Sequence, residues 1–276
     1  RRRLHLFIGT SPIHRDAKLH MSRADVLAAI RDSIAYARDR FDDIEFSAED
    51  AIRTEREFLV EALQAATDAG ATTLNVPDTV GYTTPEEIQT LFADLDRWIN
   101  RGAHVMLSTH CHDDLGMAVA NSLAAVRGGA RQIECAINGI GERAGNCALE
   151  EVVMALKTRA DLFGCEVGVD TTQLAAVSRT LAQVTNISPP RNKAIVGANA
   201  FAHEAGIHQH GMLQNRNTYE IMKPEDIGLA VEGIVLGKHS GRHALVARAR
   251  ALGHVLEGER LDQAFAAFKA LADEIG

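Results

Sequence analysis

The chain has 276 residues, 46% hydrophobic and 24% charged, enough apolar material for one large core or two modest ones. A net charge of −8 argues against a nucleic-acid partner, and no apolar run approaches the roughly 18 residues a membrane span needs. The opening "RRRLHLFIG" lacks the apolar region of a signal peptide, and Cys111, Cys135, Cys147 and Cys165 show no CxxC spacing, so reduced thiols in a cytoplasmic protein are expected.

In chain order, the first 165 residues repeat one theme, a short β-favouring run followed by a loop and an amphipathic helical stretch. The runs are Leu4–Ser11, Asp43–Ser47, Thr72–Asp78, His104–His110 and Gln132–Gly139. After the first, Ser22 caps a helix carrying Val26, Ile30 and Ile34 on one face. After the third, Thr84 caps a helix with Pro85 at its first position and Ile88, Leu91, Phe92, Leu95 and Ile99 at 3–4 spacing. "LEEVVMALKTRADLF" follows the fifth. Strands alternating with helices predict βαβ units and a parallel sheet. No GxGxxG follows the first strand, so a dinucleotide-binding sheet is not supported. Chemically capable residues instead gather at the C-terminal ends of separate strands: Ser47 and Glu49, Asp78 and Thr79, His110 and His112, Asn138. That is the active face of a TIM (β/α)8 barrel. About five of the eight βα units are present, which leaves an open five-strand sheet or a barrel lacking its first three units; the second is expected.

Beyond the helical stretch "TTQLAAVSRTLAQVTN", Pro189–Pro190 break the pattern and a Gly- and His-rich segment follows, before helices return in "SGRHALVARARALG" and "LDQAFAAFKALADEIG". The expected division is a partial barrel over residues 1–168, and a linker with a small, mainly helical subdomain over 169–276.

The sharpest motif is "STHCHDDLG", Ser108–Gly116. Residues two apart on a strand share a face, so His110 and His112 present two imidazoles together, while Cys111 alternates away. A pair of solvated histidines is the bland alternative. The next strand end, Ile137–Asn146, has three glycines (Gly139, Gly141, Gly145) that let the backbone turn sharply toward a ligand. Asn138 and Asn146 could each offer an amide oxygen, with Glu142 and Arg143 as an orienting pair. Imidazole and amide oxygen without thiolate suit Mg²⁺, Mn²⁺ or Zn²⁺ with positions open for substrate.

His110–Leu156, together with Glu45–Glu55, Leu74–Glu87 and Asn199–Gly228, resembles the HMG-CoA lyase-like barrel family, and within it the isopropylmalate synthase branch. The resemblance implies a TIM barrel, a divalent metal and a Claisen-type condensation of acetyl-CoA, as co-substrate, with a 2-oxo acid. For that branch the acceptor is 2-oxoisovalerate and the product 2-isopropylmalate, the first committed step of leucine biosynthesis. The implied metal ligands are His110, His112 and Asn146, plus an Asp from a first strand that would precede residue 1. The resemblance further implies that Ser47, Thr79 and His5 bind the oxo acid. Glu49 either polarises or deprotonates groups in the site, or is an acid at a helix start. His208 and Tyr219, acting in a homodimer, would transfer protons; a packed loop histidine is the alternative for His208. His210 stands where many relatives carry Asp. His203 lies in "AFAHEAG", and Lys238 and Arg242 lie in "LGKHSGRHA", which either binds CoA phosphates or solvates a helix start. A leucine-sensing regulatory domain is expected to be absent, and the chain alone is expected to be inactive. Homocitrate or citramalate synthases share these ligands and differ in the oxo-acid pocket. A 3-hydroxy-acyl-CoA lyase would lack Ala198–Gly228, and a metal-binding scaffold without turnover is the non-catalytic reading.

Overall fold

The structure, a computed structural model, describes residues 2–202, 211–212, 214–230, 236–237 and 240–275. It divides into two compact units, Arg1–Val167 and Gly168–Gly276.

The first unit is built on a five-stranded parallel sheet: β1 Arg3–Gly9, β2 Asp43–Glu49, β3 Thr73–Asp78, β4 Met106–Cys111 and β5 Gln132–Glu134. Its strand order is β1-β2-β3-β4-β5, each strand hydrogen-bonded to the next in sequence. That order decides the architecture. Right-handed crossovers between successive neighbours place every helix on one face, whereas a doubly wound sheet reverses direction and covers both. Here α1 Arg23–Arg38, α2 Arg56–Ala69, α3 Pro85–Trp98 and α4 Ala118–Gly128 follow β1 to β4, and α5 Leu149–Thr158 follows β5. This is five consecutive units of a (β/α)8 barrel, with the face that would line the barrel left for polar side chains.

Each helix forms where its sequence carries one apolar stripe. In α1, Val26, Ile30 and Ile34 are buried, and Ser22 closes a capping box with Asp25. In α3, Ile88, Leu91, Phe92 and Leu95 are buried, and Glu87 accepts from the Thr84 backbone N–H at 3.0 Å. Ile99 is buried too, but as the residue that ends α3 in an extended conformation. These stripes meet the apolar side of the sheet, Ile44, Phe46 and Ala48 of β2, Leu74 and Val76 of β3, and Leu107 of β4, in one continuous core. Each large aliphatic side chain so buried contributes about 1.5–3 kcal/mol.

Element ends depart from the sequence reading at instructive places. β2 runs on to Glu49, so that residue ends a strand and does not begin a helix. β5 stops at Glu134, well short of Gly139, because Asn138 (φ 59°) and Gly139 (φ 67°) turn left-handed and draw Ile137–Gly139 into a 3₁₀ turn. The expected helix from Leu149 onward is split at Arg159 into α5 and α6, Ala160–Phe163.

In the second unit, α7 Leu174–Thr185 ends at Asn186, which takes the left-handed conformation (φ 57°) just before Pro189 and Pro190. Helices α8 Arg242–Ala251 and α9 Gly258–Ile275 close the chain. Among the described residues no helix is long and apolar enough to cross a membrane.

Candidate active site

Period-two alternation decides which side chains line the sheet's polar face. On β2, Ile44, Phe46 and Ala48 turn to the helices, which leaves Glu45, Ser47 and Glu49 on the other side. By the same rule β1 offers His5, β3 Asn75, β4 Ser108 and His110, and β5 Gln132 and Glu134. Parallel register aligns them: Ser47 faces Asn75, Asn75 faces Ser108, Ser108 faces Gln132 and His110 faces Glu134.

The outcome is a continuous polar row. His5 Nε2 lies 2.6 Å from Ser47 Oγ. Asn75 Nδ2 donates to Ser47 Oγ at 2.8 Å and to Glu134 Oε2 at 3.1 Å. His110 Nδ1 lies 2.7 Å from that same Glu134 oxygen, and His110 Nε2 lies 3.2 Å from His112 Nε2. Burial pushes Glu134 up, but the His110 hydrogen bond and the charges of His110 and His5 bring it net below the usual carboxylate range. An ionised carboxylate only accepts, so a hydrogen bond across this 2.7 Å contact needs the His110 proton on Nδ1. Glu45 moves the other way, raised by burial and by the neighbouring Glu134 carboxylate. Its oxygens accept from Arg3 Nη1 at 3.0 Å and Gln132 Nε2 at 2.7 Å. His5, Glu45 and Glu134 could together ligate a cation, their ligand atoms lying within 4.8 Å of one another. Since Arg3, Gln132 and His110 already engage both carboxylates, the cluster reads as a hydrogen-bonded layer.

His112 lies just past the end of β4, where its backbone bridges antiparallel to Asn146. The loop between them closes tightly. Asn146 N–H donates to Gly139 O at 2.9 Å, Asp113 N–H to Gly145 O at 2.9 Å, and Asn146 Nδ2 to Ile140 O at 3.1 Å. A Cβ on Gly141 would collide with the Asn146 amide nitrogen, and one on Gly145 (φ 99°) with the Gly139 carbonyl, so this closure requires glycine at both positions. With its nitrogen spent on Ile140, the Asn146 amide leaves Oδ1 buried with no hydrogen-bond partner among the described residues; His112 Nδ1 is in the same state.

This donor set fits a divalent cation. Two nitrogens each about 2.1 Å from one ion stand at most about 4.2 Å apart, and the imidazoles converge well within that bound. Burial first, then the charges of His110 and Arg143, hold His112 below the ordinary histidine range, which keeps it in the neutral form that ligates. A buried amide oxygen without a partner costs about 1–3 kcal/mol, a cost that a cation would remove.

The remaining expected residues are placed as follows. Ser47 is buried beside His5, as described. Thr79 Oγ1 accepts from the Asp50 backbone N–H at 2.9 Å, tying the ends of β2 and β3. Glu49 is engaged by Lys18 Nζ at 2.8 and 2.9 Å, with His14 Nδ1 at 3.4 Å. Asn138 is a left-handed turn residue whose backbone N–H donates to Glu150 Oε2 at 3.0 Å. The expected Glu142–Arg143 pair is loose at 3.8 Å, with the Glu142 side chain 86% exposed. Arg143 instead forks onto Asp114 at 2.8 and 2.9 Å and donates to Thr79 O at 2.8 Å, joining the loops after β3, β4 and β5. Cys111 is fully buried in the apolar core, away from the imidazoles. Tyr219 belongs to the second unit and is 44% exposed. Arg242 opens α8, where it pairs with Asp262 and stacks 5.0 Å from the Phe265 ring centroid. His203, His208, His210 and Lys238 lie outside the described residues.

Sequence reasoning passed over Asn75, Glu134, Glu45 and Asp114. The signal for the first three was present: single polar residues at alternate positions of otherwise apolar strands, in "DIEFS", "TLNVPD" and "QIE". Asp114 carried none beyond its place beside Asp113.

A family model described as HMGL-like matches residues 1–181. The chain belongs to the HMGL-like family. A second family model, described as homocitrate synthase post-HMGL domain-like, matches residues 195–275. The 2-isopropylmalate synthase of Xanthomonas campestris pv. campestris (strain B100) is 55% identical over 272 residues, 99% of this chain and 52% of that protein. That of Rhodopirellula baltica is 57% identical over the same shares. The chain thus spans about half the length of the curated relatives it matches. Among solved structures, hydroxymethylglutaryl-CoA lyase from Pseudomonas aeruginosa superimposes with a TM-score of 0.59 at 19% identity, over 68% of this chain and 64% of that one. At that identity the likeness concerns the fold, and it places the five βα units in the HMGL-like TIM barrel, followed by a helical part.

Proposed function

We propose that this chain forms catalytic machinery for condensing acetyl-CoA with 2-oxoisovalerate and water, giving 2-isopropylmalate and CoA, the first step of leucine biosynthesis. One observation carries the reading: His110 Nε2 and His112 Nε2 converge to 3.2 Å beside Asn146, whose amide oxygen is buried and unpartnered. The relatives named 2-isopropylmalate synthase support the choice of reaction.

The reaction sets its own demands. The acetyl methyl is a weak acid, so its proton must go to a positioned base, and the keto carbon it attacks must be made electrophilic as negative charge gathers on oxygen. His110, His112 and Asn146 would hold a divalent cation, Mn²⁺, Mg²⁺ or Zn²⁺. Such a cation supplies Lewis-acid polarisation of the keto oxygen and, through a 2-oxo acid's two oxygens, orientation of the acceptor. Through Glu134 and Asn75, Ser47 lies three hydrogen bonds from His110 and His5 four, and the two would grip the acid's polar end. Thr79 accepts from Asp50 and keeps its own hydroxyl proton to donate. Glu49, steadied by Lys18 and His14, contributes fixed negative charge at the end of β2. Proton transfer is assigned to His208 and Tyr219, in a cytoplasmic homodimer. Hydrolysis of the product thioester makes the condensation irreversible.

The test is turnover by the intact protein of acetyl-CoA with 2-oxoisovalerate, pyruvate or 2-oxoglutarate in turn, read as metal-dependent release of free CoA. The expected outcome is a clear preference for 2-oxoisovalerate, abolished by chelator and by His112→Ala. Preference for 2-oxoglutarate would favour homocitrate synthesis, the activity named by the family model over residues 195–275. Preference for pyruvate would favour citramalate synthesis.

A further inference from the structure

We propose that Glu134 is a positioning residue for this site, holding His110 in the tautomer that turns an unprotonated Nε2 toward His112, and that Asn75 couples the same carboxylate to Ser47. The inference rests on the metal-ligand reading of His110 and goes beyond it, since neither Glu134 nor Asn75 is a ligand or a substrate contact in that reading.

Three observations carry it. Glu134 Oε2 is shared: His110 Nδ1 stands 2.7 Å away and Asn75 Nδ2 3.1 Å away, so both are aimed at a single oxygen. Asn75 is 1% exposed and makes its second bond, 2.8 Å, to Ser47 Oγ, so it cannot follow one partner without leaving the other. Parallel pairing then sets the distances, because Asn75 is in register with Ser47 on β2 and His110 with Glu134 on β5. A neutral imidazole has one donor and one acceptor nitrogen, so a carboxylate receiving the Nδ1 proton leaves the lone pair on Nε2. Carboxylates in this relation to a metal-bound histidine fix ring orientation and raise ligand basicity. If Glu134 merely filled a polar layer with Arg3 and Gln132, nothing would require its oxygen to coincide with the His110 nitrogen opposite the chelating edge.

The bridge also joins two tasks. The row His112–His110–Glu134–Asn75–Ser47–His5 runs from the ligand pair to the oxo-acid grip without a break. Shifting Asn75 should therefore disturb acceptor binding, while changing Glu134 should disturb the ligand pair first.

The experiment measures the metal-free intact protein by ¹⁵N NMR of the His110 ring and then titrates Zn²⁺ or Mn²⁺ calorimetrically into native, E134Q, N75L and H110A forms. In the native protein the His110 proton is expected on Nδ1; finding it on Nε2 overturns the proposal without recourse to any variant. E134Q should weaken metal binding by about 10–100-fold and redistribute the tautomers, with the melting temperature held within a few degrees. N75L should leave metal affinity within about threefold of native and raise KM for the oxo acid more than it lowers kcat, the order-of-magnitude split expected when uniform binding is lost. Native-like metal affinity in E134Q, with the tautomer unmoved, refutes the positioning role. H110A separates the two levels: if it binds metal as tightly as native, the ligand reading itself fails, whereas loss of binding in H110A beside unchanged binding in E134Q sinks only the present proposal.

Discussion

Replacing Gly141 by Ala tests the closure of the proposed metal loop with one methyl group. Gly141 has no positive φ, so alanine can adopt its backbone and the effect is confined to what the new Cβ meets. That atom would overlap Asn146 Nδ2 and stand 2.9 Å from Asn146 Cγ. Carbon atoms rest at about 3.5 Å or more, so the amide must retreat by at least about 0.6 Å. Its bond to Ile140 O, already 3.1 Å, then passes out of hydrogen-bond range. One net hydrogen bond, at about 1 kcal/mol, plus residual overpacking gives an expected loss of about 1–3 kcal/mol of stability. The amide oxygen moves with the group, by more than the roughly 0.2 Å that metal coordination tolerates, so divalent-metal affinity should fall about tenfold or more. Urea unfolding reads the first quantity and calorimetric Mn²⁺ titration the second. Gly168→Ala, whose Cβ would meet nothing within 4 Å, serves as control and should change neither. If Gly141→Ala matched native protein in both assays, Asn146 would not be held as described and its place in the ligand set would be lost.

Three further outcomes follow from the first unit. Glu55 is brought down to about 2 from 4.5, chiefly by its hydrogen bond to Arg15 acting against burial, with Arg23 adding to it. A depressed carboxylate stabilises the fold fully above its unfolded value and less as pH falls from about 4.5 toward 2; the upper bound is about 3 kcal/mol, reduced by solvent to about 1–2 kcal/mol. Glu55→Gln should flatten that stretch of the urea-midpoint profile, and parallel profiles for the two proteins would contradict the assignment. Phe58 is fully buried on α2 with the Arg15 and Arg23 guanidinium groups 4.7 and 5.2 Å from its ring centroid, so Phe58→Ala should cost about 3–5 kcal/mol in chemical unfolding; a loss below about 1 kcal/mol would show the core able to collapse around it. Burial pushes the Cys111 thiol up to about 11 and Cys147 further still, so at pH 8 both should react with a disulfide reagent only as fast as the protein unfolds. Rapid modification of either in native protein would show that the core opens locally.

What was legible in the sequence and what was not divides by range of interaction. α1 and α3 read cleanly because the caps Ser22 and Thr84 and the stripes they precede lie within one segment, and a helical period needs no partner to be recognised. The H-x-H pair was legible for the same reason, since strand alternation alone puts His110 and His112 on one face. Glu134 was not, because its meaning comes from Asn75, 59 residues away, and from His110, 24 residues away. Those contacts exist only once five strands are in register, and register is a property of the sheet. The premature end of β5 was hidden differently. Asn138 and Gly139 both take left-handed conformations, and the Asn-Gly pair in "CAING" is a turn signal that the apolar run around it masked. The partners of Glu49 were hidden as well: Lys18 and His14 come from a short helical turn after β1 that carries no periodic signal at all.

The two faces of the sheet explain why those hidden contacts persist. Each polar side chain at a strand centre forgoes the roughly 1.5–3 kcal/mol that an aliphatic residue would gain there on burial. Glu45, Asn75, Ser47 and Ser108 are all nearly inaccessible, and a sequence selected for stability alone would fill such places with Val or Ile. Their mutual hydrogen bonds, at about 1 kcal/mol net each, return only part of that difference. The helix-covered face makes up the remainder, with Phe46, Leu74 and Leu107 alternating against the polar row on the very same strands. A local rule broken repeatedly on one face, and compensated on the other, is the pattern expected where a surface is kept for chemistry. The row's two ends point the same way: at one, facing imidazole nitrogens and a partnerless amide oxygen; at the other, a histidine and a serine in contact. Stability accounts for the bonds between those ends, whereas the partnerless Asn146 oxygen is the group that the proposed cation would satisfy.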